Sequence, residues 1–94
     1  MAILRIIRHP MLTRESYEAI DGRLNVAAHH PLGLILHSAG EVEGAWQLVE
    51  VWDSEEYARS FDVERLEPVI RGLFGGTPPA AEAVSYELHN LVTP

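Results

Sequence analysis

The segment Gly33–Ser54, GLILHSAGEVEGAWQLVEVWDS, holds both tryptophans of the chain and one of its five histidines. Leu34, Ile35 and Leu36 make an apolar run with β propensity, closed by Ser38, Ala39 and Gly40. After Glu41–Gly44 the chain resumes as Ala45–Trp52, rich in aliphatic and aromatic residues. A short connection with glycine at each end predicts a hairpin, and Asp53-Ser54 then opens a helix. Register decides which side chains meet, because a slip of one residue moves each to the other face. With Ala39 opposite Ala45, His37 shares a face with Gln47 and Val49. With Ala39 opposite Trp46, it joins Trp46, Leu48, Glu50 and Trp52. The sequence leaves both open.

Working outward, Ala2–His9 reads as a strand that Pro10 terminates, since proline cannot donate to a ladder. Thr13 is placed to cap a helix with Glu15 in its first turn. Tyr17, Ile20 and Leu24 follow as an apolar stripe, and the helix is expected to run out through Ala27–His30 before Pro31. Beyond the hairpin, Ser54 caps a helix carrying Glu55 and Glu56 in its first turn and Tyr57 and Phe61 four apart. Asp62 can cap a further helical segment with Val63, Leu66, Val69, Ile70 and Leu73 as its apolar side. Pro68 either kinks that segment or sits in the first turn of a fresh one. Gly75-Gly76 and Pro78-Pro79 mark a loop, and Ala83–Val92 closes the chain as an alternating strand.

The order β-α-β-β-α-β over one domain, residues 1–94, is α+β. It is met by a ferredoxin-like antiparallel sheet with two helices on one face. Few strand positions are charged, so the second sheet face is largely apolar, which predicts a homodimer through that face.

Composition narrows the partners. A formal charge of −7 argues against nucleic acid and anionic membrane. Without cysteine there is no disulfide framework, thiolate metal site or cysteine nucleophile. Ala2–Ile7 is too short for a membrane span or signal core, so a soluble cytoplasmic protein is expected. No phosphate-cradling loop, nucleophile elbow or dinucleotide fingerprint is present. The reading is of a protein needing no metal, haem or flavin.

Val51-Trp52-Asp53-Ser54-Glu55-Glu56, with Phe61 downstream, resembles the "vWeSeea…F" strand–helix junction of the antibiotic-biosynthesis-monooxygenase-like (ABM-like) family. Pro31-x-Gly33…His37 and Gly44…Trp46 resemble the central hairpin of the same superfamily. The resemblance implies a dimeric α/β barrel. Its members include cofactor-independent quinone-forming monooxygenases and haem-degrading oxygenases, and relatives on the same barrel are isomerases, cyclases and lyases. Haem-degrading members carry an asparagine on the first strand, and a tryptophan and a ligating histidine on the second helix. Here the helix positions fall at about Phe61 and Arg71 and the first strand has no asparagine, so haem degradation is disfavoured.

His37, mid-strand in an apolar run, is the candidate acid–base residue; a hydrogen-bonded core or interface histidine is the competing reading. Trp46, Tyr17, Tyr86, Phe61 and Trp52 are candidate substrate-binding residues for a small hydrophobic or aromatic metabolite. Ordinary core packing competes for each, most strongly for Trp52. Arg5 and Glu50 are expected to pair across the sheet or the dimer, or to line a polar pocket. His29-His30 lack a third metal ligand. His9 reads as a strand-end residue, and His89 as a residue of the last strand. Two functions follow: a cofactor-free monooxygenase, cyclase or isomerase of secondary metabolism working by acid–base chemistry, or a ligand-binding accessory dimer without turnover.

Overall fold

The computed structural model describes residues 1–75 and 80–94. Strands β1 (Ile3–His9), β2 (Leu34–Val42), β3 (Ala45–Trp52) and β4 (Glu82–Glu87) form one antiparallel sheet in the order β2-β3-β1-β4. Helix α1 (Arg14–Leu24) joins β1 to β2. Between β3 and β4 run α2 (Glu55–Phe61), a π-helical turn (Asp62–Leu66) and α3 (Glu67–Phe74). This is the expected α+β, ferredoxin-like arrangement. Among the described residues no helix is long and apolar enough to cross a membrane.

The hairpin is tighter than expected. β2 does not stop at Gly40 but runs to Val42, which pairs with Ala45, so the turn is only Glu43-Gly44. Both turn residues are left-handed, with φ of 49° and 79°. Two such residues match the right-handed twist of the strands they join. Ala39 consequently faces Leu48, and His37 faces Glu50. Neither of the two pairings considered is realised, but the parity is that of the second, with His37 on the face of Trp46, Leu48, Glu50 and Trp52. An irregularity between Leu34 and Leu36 lets Leu34 pair with Trp52 on that same face.

Two ends are corrected. Helix α1 stops at Leu24 rather than continuing to His30, because Asn25 turns left-handed (φ 49°) and its N–H closes on the Asp21 carbonyl at 2.7 Å. Asparagine tolerates this conformation better than most residues. Strand β4 ends at Glu87, not Val92, leaving His89 outside the sheet. Its last bond, Leu88 N–H to the Ala2 carbonyl, uses up the backbone of the neighbouring strand. The Gly75-Gly76 and Pro78-Pro79 loop lies, apart from Gly75, outside the described residues.

Capping follows the sequence elsewhere. The Thr13 hydroxyl accepts the Ser16 N–H, and the Ser54 hydroxyl accepts that of Tyr57. Pro68 lies in the first turn of α3, directly after the π turn. A proline ring crowds the carbonyl four residues back. The wider π turn, closed by the Glu67 N–H on Asp62 O, relieves that crowding.

The helices cover one sheet face in two apolar clusters. Ile3, Leu34, Trp52, Ala58 and Phe61 form one, and Leu12, Ile20 and Trp46 the other. Trp52 is wholly buried. Gly33 has φ +83°, and a Cβ there would collide with the Tyr57 ring. Gly33→Ala therefore combines left-handed strain with a steric clash, and is expected to cost about 2–4 kcal/mol. Urea unfolding of the variant checks this; a loss of only about 1–2 kcal/mol would mean that the ring moves aside and the left-handed strain alone remains. On the other sheet face Leu36, Val42, Val84 and Tyr86 are substantially exposed.

Candidate active site

Register builds the site. Glu50 of β3 is paired with Arg5 of β1 on one side and His37 of β2 on the other. Three adjacent strands thus present a cation, a carboxylate and an imidazole in one row on the helix-covered face. Tyr17 reaches the row from α1, and Asp62 from the start of the π turn.

Glu50, 4% exposed, is the hub. Its Oε1 accepts from Arg5 Nε (3.1 Å), Arg5 Nη2 (2.8 Å) and Trp52 Nε1 (3.1 Å). Its Oε2 meets His37 Nδ1 at 3.1 Å. Arg5 also donates through Nη1 (2.7 Å) and Nη2 (3.1 Å) to the two oxygens of Asp62. The Tyr17 hydroxyl lies 3.2 Å from His37 Nε2. The expectation that Arg5 and Glu50 pair is met within the sheet of a single chain.

The protonation states follow from these partners. Burial alone would raise the Glu50 pKa, but the His37 hydrogen bond, the Arg5 charge and the Trp52 N–H outweigh it and hold the carboxyl below its ordinary value. Burial likewise opposes the charge on Arg5, while Asp62 and Glu50 more than restore it. An ionised Glu50 can only accept, so His37 carries its proton on Nδ1 and offers the Nε2 lone pair. Burial, with the Asp21 and Glu50 charges behind it, raises the Tyr17 phenol. Tyr17 therefore stays protonated and donates to Nε2.

This has a consequence for acid stability. A carboxyl whose folded pKa is depressed contributes stability in full above the unfolded value, 4.5, and loses it as pH falls below that. Wild-type stability should accordingly fall through this window. Glu50→Gln should show a shallower fall, checked by urea midpoints between pH 6 and 3.

The row opens onto a cavity of about 580 Å³ between the sheet and the helices, within the range of small-molecule sites. Ile7, Leu12, Ile20, Leu24, Leu48 and Ile70 supply much of its wall; Tyr17, His37, Glu50, Arg5 and Asp62 supply its polar side. Of the aromatic candidates, Tyr17 and Phe61 line the cavity. Trp46 and Trp52 stand behind them: Trp46 packs on Tyr17 at 5.1 Å between ring centroids, and Trp52 on Phe61 at 5.4 Å. Tyr86 is not brought to the site. It pairs with Leu4, whose side chain is on the opposite face from Arg5, and is 51% exposed there. Period-2 alternation puts Ser85, not Tyr86, on the cavity side.

Asp62, which the sequence suggested only as a helix cap, is the residue missed. Its signal is the five-residue step from Phe61 to Leu66 in the inward-facing series, which breaks α periodicity and identifies the π turn. His9 also lines the cavity, where burial lowers its pKa against the opposing effect of the Ala80 backbone. His30 is engaged elsewhere, with Nε2 2.7 Å from the Leu34 carbonyl. Among the described residues no group of three or more His, Asp or Glu is placed to hold a metal ion.

This fold is shared with solved structures that include putative antibiotic biosynthesis monooxygenases. SnoaB, a cofactor-independent oxygenase from Streptomyces nogalater, has this fold with a TM-score of 0.69 at 11% identity, over 99% of this chain and 98% of its own. Rv0793 from Mycobacterium tuberculosis aligns with a TM-score of 0.76 at 12% identity, over 99% and 100% of the two chains. A putative antibiotic biosynthesis monooxygenase from Chloroflexus aurantiacus aligns at 0.68 and 18% identity, over 99% and 98%. No family sequence model matches the chain, and no curated protein matches it by sequence. The likeness is one of fold.

Proposed function

We propose that this chain is a small cofactor-independent, monooxygenase-like enzyme acting on an electron-rich aromatic or polyketide-like phenol by acid–base chemistry. The observation that carries the reading is the hydrogen-bonded series Glu50–His37–Tyr17 on the wall of an otherwise apolar cavity. A buried carboxylate behind Nδ1 orients the imidazole and stabilises its protonated form. A substrate hydroxyl gives its proton to the Tyr17 oxygen as Tyr17 gives its own to His37 Nε2. The resulting substrate anion is electron-rich enough to reduce dioxygen directly. At a ring C–H position, one oxygen atom of dioxygen becomes the new quinone carbonyl, and the other leaves as water with that ring hydrogen and the proton held on His37. Phe61 supplies an aromatic face for the substrate, with Trp46 and Trp52 holding Tyr17 and Phe61 in place.

Oxygen uptake with a polycyclic phenol, matched by quinone absorbance, tests the reading. Tyr17→Phe is expected to slow turnover about tenfold or more, as one positioned proton-transfer group is lost. Unchanged turnover would remove Tyr17 from the proton path.

The same reading takes residues 1–94 as one unit that works as a homodimer, sheet face against sheet face. Leu36, Val42, Val84 and Tyr86 supply the apolar surface for that contact. Light scattering should then give twice the 10.5 kDa chain mass, and Val84→Asp should shift it toward the monomer. A monomeric wild type at micromolar concentration would refute the pairing.

A further inference from the structure

We propose that the cavity selects its ligand by charge, taking an uncharged phenol and excluding the same molecule bearing a carboxylate. The inference rests on reading the cavity as the ligand site, and adds the class of molecule that fits it.

Arg5 is the cation on the cavity floor, and a guanidinium there would ordinarily invite a carboxylate. Its fork is already occupied. Four of its five N–H groups are directed to Glu50 and Asp62. No bidentate edge is left for an acid from outside, and the two protein carboxylates exceed its single charge. The other end of the cavity repeats the imbalance. Asp21 from α1 and Glu67 from α3 border it with Arg71, and all three side chains belong to exposed residues. The imidazoles do not reverse the sign. His37 has its N–H directed to Glu50 and offers a lone pair through Nε2, and burial disfavours the charged form of His9. Among the described residues a ligand thus faces four carboxylates and two guanidiniums within a largely apolar wall.

An uncharged phenol suits this field both before and after proton transfer. Once its proton rests on His37, the floor holds two cations, Arg5 and His37, against Glu50 and Asp62. The anion then lies beside a balanced cluster. A second, permanent negative charge on the ligand would have no such counterpart, and in a poorly solvated cavity its repulsion is weakly screened.

The test compares two probes of the same skeleton, 2-naphthol and 6-hydroxy-2-naphthoic acid, by titration calorimetry at pH 7 and low salt. 2-Naphthol should bind the wild type about tenfold or more tightly than the acid. Asp21→Asn combined with Glu67→Gln removes two exposed carboxylates outside the hydrogen-bonded row. It should narrow that ratio by improving binding of the acid more than that of 2-naphthol. Equal affinities in the wild type, or a ratio unmoved by the double variant, would overturn charge selection while leaving the acid–base reading intact. Failure of both probes to bind would overturn the reading of the cavity as a phenol site, and the proposal with it.

Discussion

His37→Gln is expected to lose about 100-fold or more of the turnover with a polycyclic phenol, with its melting temperature close to that of the wild type. Glutamine keeps a donor within reach of Glu50 and an acceptor within reach of Tyr17, so the hydrogen bonds that seat the ring can be reproduced. What it cannot reproduce is a basic ring nitrogen that can take a proton from Tyr17 and return it. A variant that melts markedly lower while its activity per folded molecule is undiminished would make His37 a structural residue. The cavity would then be that of a binding protein.

The second large effect concerns stability. Arg5→Leu leaves Glu50 buried with a charge and without its cation, and removes the guanidinium lying over Trp52 at 5.7 Å. Breaking a buried pair on one side costs about 3–5 kcal/mol. For a domain of this length that corresponds to a fall in melting temperature of about 12 °C or more. Arg5→Leu combined with Glu50→Leu should cost less than the sum of the single changes, because no uncompensated charge then remains. Asp62, 31% exposed at its side chain, can still be solvated. A single-variant loss below about 1 kcal/mol would place the pair among the weak surface interactions.

Element order and most caps could be read from the chain because each has a local physical cause. Pro10 ends β1, Thr13 and Ser54 have hydroxyls that accept amides, and Val84, Tyr86 and Leu88 alternate. The site was half legible for the same reason. His37, Glu50 and Arg5 stand out as polar residues in apolar strands, but whether they meet depends on the turn. The residue pair Glu43-Gly44 does not announce a two-residue turn, since only its glycine favours φ above zero. Aromatic character alone points to Tyr17 and Phe61, and the same criterion points to Tyr86, which the β1–β4 pairing turns away. The early stop of α1 hangs on the single backbone state of Asn25, and Asp62 on a change of helical pitch. The first leaves no trace in hydrophobic spacing, and the second only the five-residue step from Phe61 to Leu66.

That change of pitch bears on how this chain should be aligned with others. A π turn is an α-helix holding one residue more than its neighbours on either side require. Removing one residue between Asp62 and Leu66 would turn the five-residue step from Phe61 to Leu66 into the four-residue step of an α-helix, so α2 and α3 would keep their faces toward the sheet. A homologue lacking that residue would need a gap here to be superposed. It could keep both a carboxylate after the Phe61 position and the α3 side chains that close the chamber. A one-residue length difference in this five-residue window is therefore no sign that two relatives differ in this site.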